Sequence, residues 1–146
     1  RTFSKAFSLA GLRVGYALMH PAVAREVDKA KLPYNLNFFT MAAAETLLEK
    51  RAVLDDSVKE IIRERDLLIP AMNAIKGVKA YPSRANFILF ETPLLPETVF
   101  EGLLADGLLI RNVSSYPMLG SCLRVSVSKP ADNTRFLASL KRVLAS

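Results

Sequence analysis

Arg1-Thr-Phe-Ser-Lys-Ala-Phe-Ser-Leu-Ala-Gly-Leu-Arg-Val-Gly-Tyr16 sets a single lysine, Lys5, among the small and apolar residues Ser4, Ala6, Ser8, Ala10 and Gly11. Arg13 follows eight residues on, just before an apolar run over residues 14–19. A lysine held in tight apolar surroundings loses hydration, which lowers its pKa and frees its lone pair to attack a carbonyl. A Schiff-base lysine requires that. Thr2 and Ser4 add hydroxyls, and Arg13 adds a planar five-donor fork matched to a dianionic phosphate. A reactive amine beside a phosphate cradle outlines a site for pyridoxal 5'-phosphate (PLP). The competing reading of the same spacing is an ordinary surface lysine with a solvated arginine at a strand start.

Composition bounds the rest. A chain of 146 residues, 51% hydrophobic and 23% charged, can fold as a packed globule with a real core. Mean hydropathy is +0.21, yet no uncharged apolar run approaches the ~20 residues of a membrane span. The order of regions in a signal peptide is absent from the first residues. One cysteine, Cys122, excludes an internal disulfide, and no residues are spaced as a metal-ligand set. Together these indicate a cytoplasmic protein without metal. The net charge of +6 raises nucleic acid as a partner. The basic residues are scattered, however, and residues 59–65 alternate in sign as a solvated helix face does. Positive charge of this kind suits small anionic ligands equally well. The chain also opens inside a motif without a methionine, so it is expected to be the C-terminal part of a longer enzyme.

Along the chain, residues 14–19 read as a buried strand after the lysine loop. Pro21 then suits the first position of a helix running to residue 31 and stopped by Pro33. His20, at the junction, has no nucleophile or paired carboxylate to serve and reads as structural. Asn37 is a candidate N-cap for a helix over residues 38–50. A long helix is expected from Asp55 or Asp56 to residue 76, ended by Gly77 and kinked or split by Pro70. Its apolar stripe is Val58, Ile61, Ile62, the Arg65 stem, Leu68, Ile69 and Met72. The period then changes to that of strands over residues 78–81 and 86–90, a helix over 96–106, strands over 108–113 and 123–127, and a helix from Pro130 or Asp132 to residue 144. In the last strand Leu123, Val125 and Val127 share one face while Arg124 and Ser126 share the other.

Ser4-Lys-Ala-Phe-Ser-Leu-Ala-Gly-Leu-Arg-Val-Gly-Tyr16 resembles the PLP-lysine segment of fold-type I aminotransferases, and most nearly that of the histidinol-phosphate branch. The resemblance continues through Leu32-Pro-Tyr-Asn-Leu-Asn37, Ser83-Arg-Ala-Asn-Phe-Ile-Leu89, Ile110-Arg-Asn112 and Cys122-Leu-Arg-Val-Ser126, and so spans essentially the whole chain. It implies an α/β fold-type I PLP transferase fragment. Residues 1–50 would be the remainder of a large PLP-binding domain and 51–76 a connecting helix. Residues 77–146 would form a small α+β domain with a mostly antiparallel sheet. It further implies that Lys5 bonds the cofactor and then moves the proton between the substrate Cα and the cofactor. Thr2, Ser4 and Arg13 would hold the cofactor phosphate, and Arg124 would grip a substrate anion, with Arg111 on a second anionic group. A surface ion pair is an equal alternative for Arg111. Asn86 and Tyr34 are softer substrate-side candidates.

The family's partners for the cofactor ring lie upstream of the lysine motif, and a neighbouring subunit adds a tyrosine. The chain is therefore expected to act within a homodimer and to be incompetent alone. The activity implied is transamination between histidinol phosphate and imidazole-acetol phosphate with glutamate and 2-oxoglutarate. Alternatives are an aromatic aminotransferase, a threonine-phosphate decarboxylase-like enzyme, an aminotransferase-like sensor domain of a regulator, and a plain interaction domain.

Overall fold

The computed structural model describes residues 1–145, the side chain of Val53 excepted. The chain forms two compact units, residues 1–58 and the stretch from Lys59 onward.

The first unit begins as a closed loop. The N–H of Phe3 donates to the Val14 carbonyl at 3.1 Å and that of Tyr16 to the Arg1 carbonyl at 2.9 Å. Between these bonds Thr2 and Gly15 form an isolated antiparallel bridge. Gly15 is required here, because a Cβ would stand 2.6 Å from the Arg1 carbonyl oxygen. Phe3, Val14 and Ala44 form a small core, with Phe7, Leu9 and Leu12 packed on it. The expected strand over 14–19 is not formed. Only Val14 is buried and residues 15–19 are exposed, since a strand needs a ladder and the loop start supplies a single bridge.

Helix α1, Pro21–Ala30, starts at its proline, and His20 Nδ1 accepts from the Ala22 N–H at 3.2 Å. That is the structural role expected of His20. Helix α2, Phe38–Glu49, is capped by Asn37, whose Oδ1 accepts from the Thr40 N–H at 2.9 Å.

Helix α3, Ala52–Asn73, ends before the expected residue 76 and differs from the reading in three further ways. It begins before the acids, so Asp55 sits in its first turn and complements the helix dipole there. Pro70 does not split it: proline and Asp66, whose carbonyl it deprives of a donor, are both exposed, so the lost bond falls on the side of the helix away from the core. Ile62 is 43% exposed while Glu64, read as a solvated charge, is 7% exposed. Glu64 is buried because Asn133 Nδ2 reaches its carboxylate at 3.0 Å and Arg63 at 3.3 Å. A buried carboxylate needs such partners.

From residue 77 the second unit is a four-stranded sheet in the order β1-β2-β4-β3, antiparallel throughout. The strands are β1, Lys79–Ala80; β2, Phe87–Glu91; β3, Arg111–Asn112; and β4, Cys122–Ser126. Helices α4, Pro96–Ala105, and α5, Pro130–Ala145, alternate with them. Gly77, at φ +81°, makes the left-handed turn from α3 into β1. Ile88 and Phe90 of β2 and Leu123 and Val125 of β4 face the helices, packing with Leu68, Met72, Val99, Leu103, Phe136 and Leu140. Each such side chain contributes roughly 1.5–3 kcal/mol by leaving water. The alternation that buries these residues turns Phe87, Leu89 and Arg124 onto the opposite face.

Candidate active site

Lys5 lies in the closed loop, one residue past a turn built by Thr2. The Ser4 N–H donates to Thr2 Oγ1 at 3.0 Å, and the Lys5 carbonyl accepts from the Ser8 N–H at 2.9 Å, with Ser8 at φ +55°. The backbone around the lysine is thus fixed at both ends, while its side chain is exposed. The apolar enclosure expected of Lys5 is not provided by the chain's own atoms. Ser4 and Ala6 are too short to cover a four-carbon stem.

Arg13 follows the 3-10 turn Ala10–Leu12 in a left-handed conformation, φ +54°. One of its terminal nitrogens donates to the Ala10 carbonyl at 3.0 Å, which anchors the fork and leaves its other N–H groups for an anion. Arg13 borders a hollow of about 310 Å³ lined also by Gly11, Leu12, Asn35, Leu36, Asn37 and Thr40. Thr40 was not singled out in the sequence. It is 1% exposed, and its hydroxyl lies 3.4 Å from the Leu12 carbonyl, tying α2 to the loop. Nothing in its local sequence signals this. Tyr34 is left-handed at φ +60°, fully exposed, and outside the hollow.

Arg111 and Arg124 sit in the second unit. They are directly opposed across β3 and β4, and Leu89 opposes Arg124 from β2. They share a hollow of about 310 Å³ with Phe87, Leu89, Val113, Tyr116 and Leu119. The Arg124 guanidinium carbon stands 4.9 Å from the centroid of the Phe87 ring. Among the described residues neither arginine has a carboxylate partner, so the surface ion pair given as the alternative for Arg111 is not formed among them. Like charges directly opposed across a sheet destabilise it, and an anion between them would remove that penalty. Asn86 stands half-buried at the start of β2, where its carbonyl accepts from the Val127 N–H at 2.9 Å. Its side chain makes no hydrogen bond among the described residues.

Two polar clusters frame this face, neither of them found by sequence reasoning. Glu91 accepts from the Tyr81 hydroxyl at 2.7 Å and the Ser121 hydroxyl at 3.1 Å. The Tyr81 bond, foremost, holds its carboxyl below the usual range. Lys79, its direct cross-strand partner, is raised chiefly by Tyr81, and burial pushes the Cys122 thiol up. On the other side Glu97, lowered first by a backbone N–H at the start of α4, accepts from Asn112 Nδ2 at 2.9 Å. That bond fixes β3 beside Arg111. The sequence carries no local trace of either cluster, because the first depends on the register between strands and the second on how α4 packs beside β3.

Lys5, Thr2, Ser4 and Arg13 are thus gathered in one loop of the first unit, and Arg111 and Arg124 in one hollow of the second. Among the described residues no group of His, Cys, Asp or Glu could hold a metal, and no helix is long and apolar enough to cross a membrane.

The family model of class I and II aminotransferases matches residues 1–140. The chain is similar to the histidinol-phosphate aminotransferase of Aquifex aeolicus (strain VF5), 40% identical over all of this chain and 41% of that protein. Among solved structures it resembles the L-threonine-O-3-phosphate decarboxylase from Porphyromonas gingivalis, with TM-score 0.90 and 26% identity over 99% of this chain and 46% of that one. It also resembles histidinol-phosphate aminotransferase from Sinorhizobium meliloti, solved in complex with pyridoxal-5'-phosphate, with TM-score 0.86 and 28% identity over 99% and 40% of the two chains. The chain spans about two fifths of the length of the curated relatives it matches.

Proposed function

The chain belongs to the class I and II aminotransferase family, and from that premise we propose that it carries the cofactor lysine and the substrate-anion clamp of a PLP-dependent histidinol-phosphate aminotransferase. The observation that carries the clamp is the opposed pair Arg111 and Arg124, uncompensated by any carboxylate among the described residues.

The lysine loop fits PLP by its donor set. Lys5 offers an amine for an aldehyde, Thr2 and Ser4 offer hydroxyls, and Arg13 offers the unused edge of an anchored fork for the phosphate. When bound, PLP supplies an electron sink for charge developing at the substrate Cα. Lys5 Nζ moves the proton at that carbon, as its exposed and otherwise unoccupied amine permits. Arg124 takes the substrate carboxylate in its fork, and Arg111 a second anionic group such as a phosphate; Asn86, just before β2 and not among the residues lining their hollow, is the softer substrate-side candidate. We assign histidinol phosphate and imidazole-acetol phosphate with glutamate and 2-oxoglutarate as substrates, since the relatives are named for that activity. Residues 1–50, 51–76 and 77–146 serve as the end of a large domain, a connecting helix and a small domain. The enzyme works as a cytoplasmic homodimer in which this chain by itself does not turn over. The likeness to the decarboxylase supports a second reading, loss of CO2 from threonine phosphate on the same residues.

In a polypeptide of the relatives' length, Lys5→Ala is expected to lower histidinol-phosphate transamination by at least the roughly 10²–10⁴-fold that a positioned proton-transfer group contributes. Retention of full activity in that variant sinks the proposal, and CO2 release from threonine phosphate without transamination selects the second reading.

A further inference from the structure

An arginine clamp meets two opposed requirements. Its guanidinium plane must be fixed, and its N–H donors must stay free for the ligand. A carboxylate partner meets the first by consuming the second. Arg124 has no carboxylate partner among the described residues. It lies instead with its guanidinium carbon 4.9 Å from the centroid of Phe87. An aromatic face attracts the cation through its quadrupole and uses no donor.

The register places the two side chains there. Phe87 opposes Ser126 and Leu89 opposes Arg124, so Phe87 and Arg124 are diagonal neighbours on one face of β2 and β4, a spacing that aromatic and long side chains span. Phe87 is only half-buried, whereas Ile88 and Phe90 are fully buried against the helices. The ring's surroundings are therefore the hollow and not the core. Arg111, directly opposite, repels Arg124 and would push an unsupported fork away.

We infer that Phe87 is a positioning residue, a donor-free platform that holds Arg124 in the orientation that grips a substrate carboxylate. This rests on the clamp reading of Arg124 given above. An aliphatic residue at 87 preserves the apolar wall but removes the attraction, so the fork swings and the carboxylate binds less tightly.

The test uses the PLP-loaded enzyme of full family length, with KM for L-glutamate and, independently of turnover, the Kd of glutarate by calorimetry. Phe87→Leu is expected to raise both roughly three- to thirty-fold, the span of an exposed to a desolvated cation–π contact. Turnover at saturation, the cofactor absorbance and the melting temperature should stay near those of the parent, and Phe87→Tyr should restore both constants. In an Arg124→Gln background, Phe87→Leu should add less than twofold to the glutarate Kd. An unchanged Kd in the single variant, or an undiminished effect in the Arg124→Gln background, overturns the inference. Arg124→Gln with unaltered glutarate and glutamate affinity overturns the clamp reading instead, and the platform with it.

Discussion

At the residue scale, Glu91 shows how a charge beside a cationic face is kept from neutralising it. Its carboxylate is committed to the Tyr81 and Ser121 hydroxyls and the Cys122 thiol, and Arg124 is left to a ligand. Those bonds favour the ionised form, Tyr81's foremost. A carboxyl whose folded pKa lies below its unfolded one stabilises the fold above the unfolded pKa and loses that contribution as pH falls through the folded one. Tyr81→Phe is therefore expected to lower stability at pH 7 by about 1 kcal/mol, below the roughly 1.5–3 kcal/mol of a bond to a charged group because the site is partly hydrated. The gap should narrow as pH falls below about 4, the ordinary carboxyl range, and close only once Glu91 protonates in the folded state as well. Melting curves of the two proteins across pH 3–8 check this, and a gap independent of pH would show that packing, not the hydrogen bond, is lost. Residue type and spacing drew attention to Lys5 and Arg13, and the family resemblance to Arg111 and Arg124. Glu91 and Thr40 were not, since each acquires its role from a partner distant in sequence.

At the element scale, α4 and α5 approach closely at Gly102. A Cβ there would lie 2.8 and 2.9 Å from the two methyl carbons of Val143. In an exposed helix interior Gly→Ala gains about 1 kcal/mol of propensity. Overpacking costs roughly 1–3 kcal/mol, and a β-branched valine in a helix has no second χ1 rotamer to retreat to. The clash is therefore expected to win, with Gly102→Ala losing about 1 kcal/mol by urea denaturation. In a Val143→Ala background the sign should reverse. A stabilised Gly102→Ala single variant would mean that the helices separate freely.

Periodicity located α1, α2, α4 and α5 to within a residue or two, because their caps and prolines are local. It misplaced the start of α3 and the exposure of Ile62 and Glu64, because a 22-residue helix has its buried stripe chosen by whatever packs on it. Asn133, the partner of Glu64, lies far along the chain from it. Strand reading succeeded for β2 and β4, which run the length of the sheet, and overextended β3, whose pairing stops after Asn112.

At the scale of the whole molecule, the two units differ in what holds them. The second has a core cluster of fifteen buried residues around Ile88, Phe90, Leu123 and Leu140, and the first has one of three. Leu18, Leu32, Phe38 and Phe39 of the first unit are exposed, so much of its apolar surface contributes nothing to its own stability. Opening free energies follow buried apolar contact. The amides of Phe3 and Tyr16, although hydrogen-bonded to the Val14 and Arg1 carbonyls, should then exchange by local opening. Those in the β2–β4 ladder should exchange only when the second unit unfolds as a whole. Hydrogen exchange of the 146-residue chain is expected to protect the ladder at least roughly 100-fold more than the lysine loop, a difference of about 2.7 kcal/mol in opening free energy. Addition of PLP should raise the protection of Phe3 and Tyr16 if the loop alone can hold the phosphate, and leave the ladder unaffected. Equal protection in the two units before any addition would show that they open as one, and the lysine loop would then owe its order to more than its own small core.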